Sequence, residues 1–587
     1  MNHISAHAIS AHAISAHAIS AHAASKPAPV EAEALTLMLG DRVLLDRANL
    51  RVERGQVLAV TGGAGSGKTA LLGALTGQLP AGVDMAGDAC VEGHLLIAQG
   101  GRLAPRRPLA LQVAEVVGHH LGVDLRSALR RMADGLDRMG VPAAARRFDL
   151  PPEQLPESLR WACLFAMAVA VGPAVLLADA PAAGLDPTVR LRLLHRLAGW
   201  ARADGVALVL AGRPEDGLAG VADQVLTLRR SRLLPPNPTR TGPLTPLEPP
   251  GTARLHARGV GMSYPLAAGP GGKPRSLAVL HGIDLDVRTG ETLALLGETG
   301  SAKATLARSL LCLPPPTAGA VVWMGRDLTA TAAPTAIGNA GGDSRTEDPD
   351  RGGLRRARRD LQPLFPDPAA SFDPAMTVGD QFGLVLESLR PDIAADRRDH
   401  RIDEALEEAG LRPEAALRWP SALSVAEAAH AGLARAILSE PRVLIADEPA
   451  ASLSAEERDT FLDTLMTVRD RRRLTLVLAT ERYDEGLRDA HRGIVMLAGR
   501  VVESADAGTL RTAPLHPYSR AMLAASRGES PALDGDAPSA FAQPAGCPLR
   551  RRCPLAREFC AQAIPALEEV APGHHVACHY WDTPAEE

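Results

Sequence analysis

The chain has 587 residues, 46% of them hydrophobic, which allows several domains with substantial cores. Lys and Arg number 63 against 68 Asp and Glu, a net charge of −5 that argues neither for nor against a nucleic-acid partner. Aromatic residues make up only 3%, which excludes a base-stacking platform, so no nucleic acid is expected as a partner.

In chain order, residues 1–25 form a leader of Ile-Ser-Ala-His-Ala units that carries His7, His12, His17 and His22. Spaced imidazoles could collect Zn²⁺, Ni²⁺ or Cu²⁺, but a low-complexity leader is the expected reading. The N-terminus lacks the features of a secretory signal. Gln56–Thr61 (QVLAVT) reads as a buried strand, and the segment after Gly67 (KTALLGALTGQL) as a helix. Between them Gly62-Gly63-Ala64-Gly65-Ser66-Gly67-Lys68-Thr69 is a complete G-x-x-x-x-G-K-[ST] phosphate loop. At that junction backbone N–H groups can cradle phosphates, Lys68 can reach the β and γ oxygens, and Thr69 can ligate Mg²⁺.

Trp161–Ala178 is uncharged over nearly the length of a membrane span, but Gly172-Pro173 divides it into a helix and a short strand ending at Asp179. It is expected to be core. Residues 233–252 are Pro-rich and suit a semi-rigid linker.

Beyond the linker the pattern repeats. Gly290–Gly297 (GETLALLG) matches Gly55–Gly62 (GQVLAVTG), and Pro441–Asp447 (PRVLIAD) matches Pro173–Asp179 (PAVLLAD). The second phosphate loop is altered: Gly297-Glu298-Thr299-Gly300-Ser301-Ala302-Lys303-Ala304. Residues 329–353 read as a surface insertion. The tail then sets Cys547, Cys553, Cys560 and Cys578 as C-x5-C-x6-C-x17-C, a thiol cluster that reads as metal or cluster ligation in a cytosolic protein. Four thiolates can hold a [4Fe-4S] cluster; Zn²⁺, with His574, His575 or His579 replacing a thiol, and unligated thiols stay open as alternatives. Cys90, Cys163 and Cys312 are expected in the core.

The phosphate loop, the strands ending in Asp179 and Asp447, Asp447-Glu448-Pro449, and Leu515-His516-Pro517-Tyr518 ahead of the cysteine tail together resemble the ATP-binding subunits of oligopeptide/dipeptide/nickel-type ABC transporters, fused in tandem. The resemblance implies an α/β architecture of two tandem P-loop NTPase domains, 26–232 and 253–512, followed by the Cys tail 513–587. It implies ATP and Mg²⁺ as cofactors, and permease subunits and a solute-binding protein as partners. Membrane contact would come only through those partners, with the protein cytoplasmic and peripheral on the inner face of the plasma membrane. It also implies a [4Fe-4S] cluster in the tail. In this family the nucleotide domains do not touch the transported solute, so the resemblance does not choose between peptide, nickel and another substrate.

Carried over by position, the first loop supplies Gly62, Gly65, Gly67, Lys68 and Thr69, with Gln99 and Asp179 toward Mg²⁺. Ala180 replaces the Glu that polarises the attacking water, Arg213 replaces the switch His, and Leu39 the adenine-stacking aromatic. In the second copy Tyr264 suits adenine, and Gly297, Gly300, Lys303, Thr305, Asp447 and Glu448, the candidate base, are retained. There Ala302 adds a Cβ against phosphate, Ala304 lacks the Mg²⁺-binding hydroxyl, and Pro366, Glu481 and Ser454 replace the family's Gln, switch His and Asp. The signature segments read Leu423-Ser424-Val425-Ala426-Glu427, keeping Ser424, and Leu155-Pro156-Glu157-Ser158-Leu159. A general base is worth roughly 10²- to 10⁴-fold, and electrostatic stabilisers a similar factor, so weak or absent hydrolysis is expected. A transporter motor gated mainly by ATP binding is one reading, and a non-catalytic nucleotide-binding regulator or scaffold the other.

Overall fold

The computed structural model describes residues 14–15, 28–40, 42–63, 65–79, 82–98, 103–143, 146–229, 231–235, 249–266, 275–332, 351–531, 533 and 545–583. The leader histidines and Gln99 lie outside the described residues, as do most of the linker and of the 329–353 insertion. The chain divides into two compact units, residues 1–239 with 524–536, and residues 240–523 with 537–587.

In the first unit the strand Val57–Thr61 lies in a seven-stranded sheet between Ala207–Gly212 and Gln224–Arg229, with Val175–Asp179 and then His94–Ile97 beyond. These five strands run parallel. The three central strands Val57–Thr61, Ala207–Gly212 and Val175–Asp179 are buried throughout and read as near-continuous apolar runs, as in a parallel sheet covered on both faces. Side chains alternate between two cores: Val57, Ala59, Leu176 and Ala178 face one, while Leu58, Val60, Val175 and Leu177 face the other. A three-stranded antiparallel sheet, Arg42–Val52, Val30–Leu39 and Val83–Val91, contributes to the second core.

The uncharged stretch forms the helix Glu157–Val171, ended by Gly172 in the left-handed region, and the strand Val175–Asp179. Its residues are buried in the first core, against the helix Leu125–Arg138; a Cβ on Gly135 would come within 2.5 Å of the Ala166 carbonyl. Among the described residues no helix is long and apolar enough to cross a membrane.

The second unit repeats the strand order with Leu361–Leu364, Val443–Asp447, Thr475–Thr480, Thr292–Leu296 and Arg492–Leu497, in parallel. Its sheet continues antiparallel through Arg500–Asp506 into two tail strands, His574–Val576 and Glu568–Ala571. Val443 and Ile445 face one core, Leu444 and Ala446 the other.

The first unit includes a late stretch of chain. Ala525 joins its core, the His195 ring meets the Gly528 carbonyl at 2.9 Å, and Gly220 approaches Gly528 so closely that a Cβ would lie 2.3 Å from the Gly528 Cα.

Of the three cysteines expected in the core, Cys163 and Cys312 are buried. Cys90 is exposed, a correction to the sequence reading: it lies on the edge strand Val83–Val91, most of whose residues face solvent.

Candidate functional site

Each phosphate loop joins a buried strand to a helix N-terminus, Lys68–Leu75 in the first unit and Lys303–Leu310 in the second. In the first loop glycine is required where it occurs. Gly67 has φ 104°, and a Cβ there would meet the Leu44 carbonyl oxygen at 2.9 Å; a Cβ on Gly62 would meet Ser66 Oγ at 2.7 Å. The Lys68 ammonium donates to the carbonyls of Gly62 (2.8 Å) and Gly63 (2.7 Å) and to Ser66 Oγ (3.2 Å). All three of these acceptors are neutral oxygens of the loop itself. Thr69 Oγ1 donates to Asp179 Oδ2 at 2.6 Å, which brings the two expected Mg²⁺ ligands together. Burial raises the Asp179 pKa, and the Thr69 hydroxyl and Lys68 partly offset it. A bound cation would favour the charged carboxylate.

Ala180 has φ 47° and donates its N–H to the Ala211 carbonyl at 2.7 Å. Glu448 has the same backbone in the second unit, φ 45° with its N–H on Ala479 O at 2.9 Å. The backbone is therefore the same at the two positions, and Ala180 has no carboxylate where Glu448, the expected base, has one. Arg213 is exposed, and its N–H donates to Asp216 Oδ2 at 2.7 Å. Leu39, at the adenine position, is 46% exposed, and Tyr264 in the second unit is 39% exposed.

The second loop has the same outline and different partners. Gly297 and Gly300 keep their places, with φ 158° and 86°, while Ala302 holds φ 74° where the first loop has Gly67. A left-handed alanine costs roughly 1–2 kcal/mol. Lys303 is buried, its ammonium 3.2 Å from Glu481 Oε1 and 3.4 Å from Glu448 Oε1. Thr299 Oγ1 also donates to Glu481 Oε1. Burial pushes the Glu448 carboxyl up to about 7, opposed by Lys303 and assisted by the like charge of Glu481. Asp447 cannot receive a hydroxyl from Ala304; Arg308 Nη2 stands 3.4 Å from its Oδ2 instead. Burial raises the Asp447 pKa, and Arg308 and Lys303 offset part of that. Thr305 lies half-buried on the helix after Lys303.

Ser424 is the N-cap of the helix Val425–Ile437. Its Oγ accepts the Glu427 N–H at 3.2 Å, and Glu427 Oε2 accepts the Ser424 N–H at 2.8 Å, a reciprocal capping box. Arg418 bonds Glu427 at 2.6 Å, and these partners hold its carboxyl down at about 2. The altered signature is therefore a helix start whose carboxylate is already engaged. Ser454 is explained locally too: it caps Ala455–Arg472 as Asp186 caps Pro187–Asp204.

The sequence reading gave Glu298 and Tyr518 no role at the site and missed Arg308 and the tail arginine, Arg552, that meets Glu298. A carboxylate inside a loop between a buried strand and a helix needs a partner, which was the available signal.

In the tail, burial raises the thiol pKa values, Cys547 to about 11 and Cys553 to about 12, with Cys578 shifted in the same direction. The four thiols lie near enough for their charges to act on one another. Cys547 N–H also donates to the Cys560 carbonyl at 2.8 Å. Among the described residues, however, no group of three or more His, Cys, Asp or Glu is arranged to hold a metal ion. The thiol-only donor set suits a soft metal or cluster, and binding would have to displace the thiol protons.

Residues 45–183 and 280–451, together more than half of the chain, match the family model described as ABC transporter. Residues 502–560 match the model described as oligopeptide/dipeptide transporter, C-terminal region. A putative peptide import ATP-binding protein of Brucella ovis is 32% identical over 336 residues, covering 56% of this chain and 98% of its own. The putative oligopeptide transport ATP-binding protein YkfD of Bacillus subtilis is 31% identical over 322 residues, 53% of this chain and 92% of its own. The glutathione import ATP-binding protein GsiA of Salmonella paratyphi A aligns over 610 residues at 26% identity, covering 90% of this chain and 93% of its own.

Proposed function

The chain belongs to the ABC transporter family as a tandem ATP-binding protein of the peptide-import class, and from that premise we propose that it drives its permease mainly by binding Mg-ATP at the first phosphate loop. The observation that carries this reading is the contrast between the two lysines. Lys68 is held by loop carbonyls that a phosphate can readily replace, whereas Lys303 is engaged by Glu448 and Glu481. A phosphate entering the second loop would have to displace both side chains and would then meet like charge there, with Glu448, pushed up to about 7, contributing in its ionised form.

At the first loop Lys68 and backbone N–H groups bind the phosphates, and Thr69 with Asp179 receives Mg²⁺. Ala180 provides no base, so turnover there is slow. At the second, Glu448 is a base without a free lysine beside it. The partners are integral-membrane permease subunits and a solute-binding protein, which hold the chain on the cytoplasmic face of the plasma membrane. The four tail thiols, Cys547, Cys553, Cys560 and Cys578, would hold an iron–sulfur cluster; their thiol-only donor set and mutual electrostatic proximity support this. Such a cluster would supply a cross-link or a one-electron couple.

Equilibrium ATP binding beside steady-state hydrolysis tests the nucleotide reading. Lys68→Ala should abolish most binding and Lys303→Ala very little, with wild-type turnover no higher than that of Lys68→Ala. Fast turnover, or equal dependence on both lysines, sinks it. For the tail, iron and acid-labile sulfide in anaerobically purified protein are the expected result, and zinc alone or no metal is the contrary one.

A further inference from the structure

Glu298 stands in the second phosphate loop where the first loop has Gly63, and it is buried. A carboxylate out of water must be met by charge or hydrogen bonds. The C-terminal tail meets it. Arg552 Nη1 donates to Glu298 Oε2 at 2.9 Å and Nη2 to Oε1 at 3.4 Å, with both side chains 3% exposed or less. The Glu298 backbone N–H donates to the hydroxyl of Tyr518 at 2.8 Å, and that ring is fully buried. The Glu298 carbonyl in turn accepts the Ser301 N–H at 3.1 Å, the turn that curls the loop.

Both contacts are rooted in the tail and its junction with the sheet. Arg552 and Cys553 each donate an N–H to the Leu549 carbonyl, at 2.8 and 3.0 Å, so the arginine rides on the turn that carries two of the thiols. Tyr518 N–H donates to His516 Nδ1 at 3.1 Å. Glu503 then gathers the N–H groups of Leu515 and His516 and, at 2.8 Å, the ring of His574. His574 belongs to a tail strand that pairs with Arg500–Asp506 in the sheet of the second unit. The tail is therefore built into the same sheet as the loop it touches.

We propose that the tail positions the second phosphate loop, with Arg552 and Tyr518 as positioning residues that keep residues 297–304 curled by holding Glu298. The inference does not rest on which loop takes nucleotide. Gly63 gives the first loop no side chain for such a hold, and that loop closes on its own lysine. The folded state of the thiol-bearing segment is thereby transmitted to one phosphate loop and not to the other.

Amide hydrogen exchange on the full-length, nucleotide-free chain tests this, reading peptides over 297–304 beside 62–69. Tyr518→Phe, which removes a single oxygen, and Arg552→Gln should each speed exchange in 297–304 by about tenfold or more and leave 62–69 unchanged. Arg552→Lys should recover part of the protection, since it restores charge without the two-pronged geometry. In a Glu298→Gly background, which gives the second loop the residue of the first, Arg552→Gln should have no further effect on 297–304. Unchanged exchange in 297–304 for both single variants overturns the proposal. So does equal acceleration in 62–69, which would mark a general loss of fold.

Discussion

The two phosphate loops each join an equivalent strand to an equivalent helix that begins at a lysine, yet in one the lysine meets the loop's own oxygens and in the other side chains from elsewhere in its unit. Lys68 closes onto Gly62 and Gly63, while Lys303 closes onto Glu448 and Glu481 and Glu298 onto Arg552. At the second loop the lysine is thus met by the chain's own carboxylates. Retaining a lysine in a motif says little about anion binding until the lysine's partners are known.

The strongest way to break this contrast is to remove the competing charge. Glu481→Gln should raise ATP affinity at the second loop by roughly 10- to 100-fold, because like charges facing one another cost several kcal/mol. Titration calorimetry would read it as a second bound nucleotide per chain; unchanged stoichiometry would mean that the carboxylates are not the obstacle. Next in size is Gly67→Ala. The left-handed backbone and the approach to Leu44 O should destabilise the first unit by about 2 kcal/mol and weaken ATP binding, measured by denaturant unfolding and by titration. The reciprocal change, Ala302→Gly, should relieve strain and stabilise the second unit by up to about 1 kcal/mol, the added chain entropy of glycine limiting the gain.

A further test is a pH dependence. Glu448 titrates near 7 in the fold against 4.5 for an ordinary glutamate, so between those values the native chain holds a proton that the unfolded chain has released. Stability from this group is complete below about 4.5 and is lost as pH rises toward 7. Glu448→Gln should flatten that decline in denaturant unfolding between pH 5 and pH 8, and an unchanged slope would remove Glu448 as its source.

Much of this was legible in the sequence because it is local. Apolar runs ending in aspartate gave the strands Val175–Asp179 and Val443–Asp447, and the G-x-x-x-x-G-K-T spacing placed the first loop between strand and helix. The S-x-x-E of Ser424 and Glu427 is a capping-box pattern that the sequence also carries, although the segment was legible there only as an altered signature. What resisted reading was long-range pairing. Glu298 and Arg552 are 254 residues apart, Lys303 and Glu481 178, and no periodicity links such positions. Cys90 failed for a different reason: its apolar neighbours sit on an edge strand that is covered on few of its positions.

The stretch 524–536 sets a rule for taking the protein apart. It follows the second cassette in sequence but supplies Ala525, Gly528 and the Leu533 carbonyl to the first unit, against His195, Gly220 and Arg192. A single cut in the Pro-rich linker therefore yields a first fragment that lacks a piece of its own packing and a second that carries it as a loose end. The tandem arrangement is knitted rather than strung, so splitting it into two separately made subunits requires moving that stretch as well as breaking the linker.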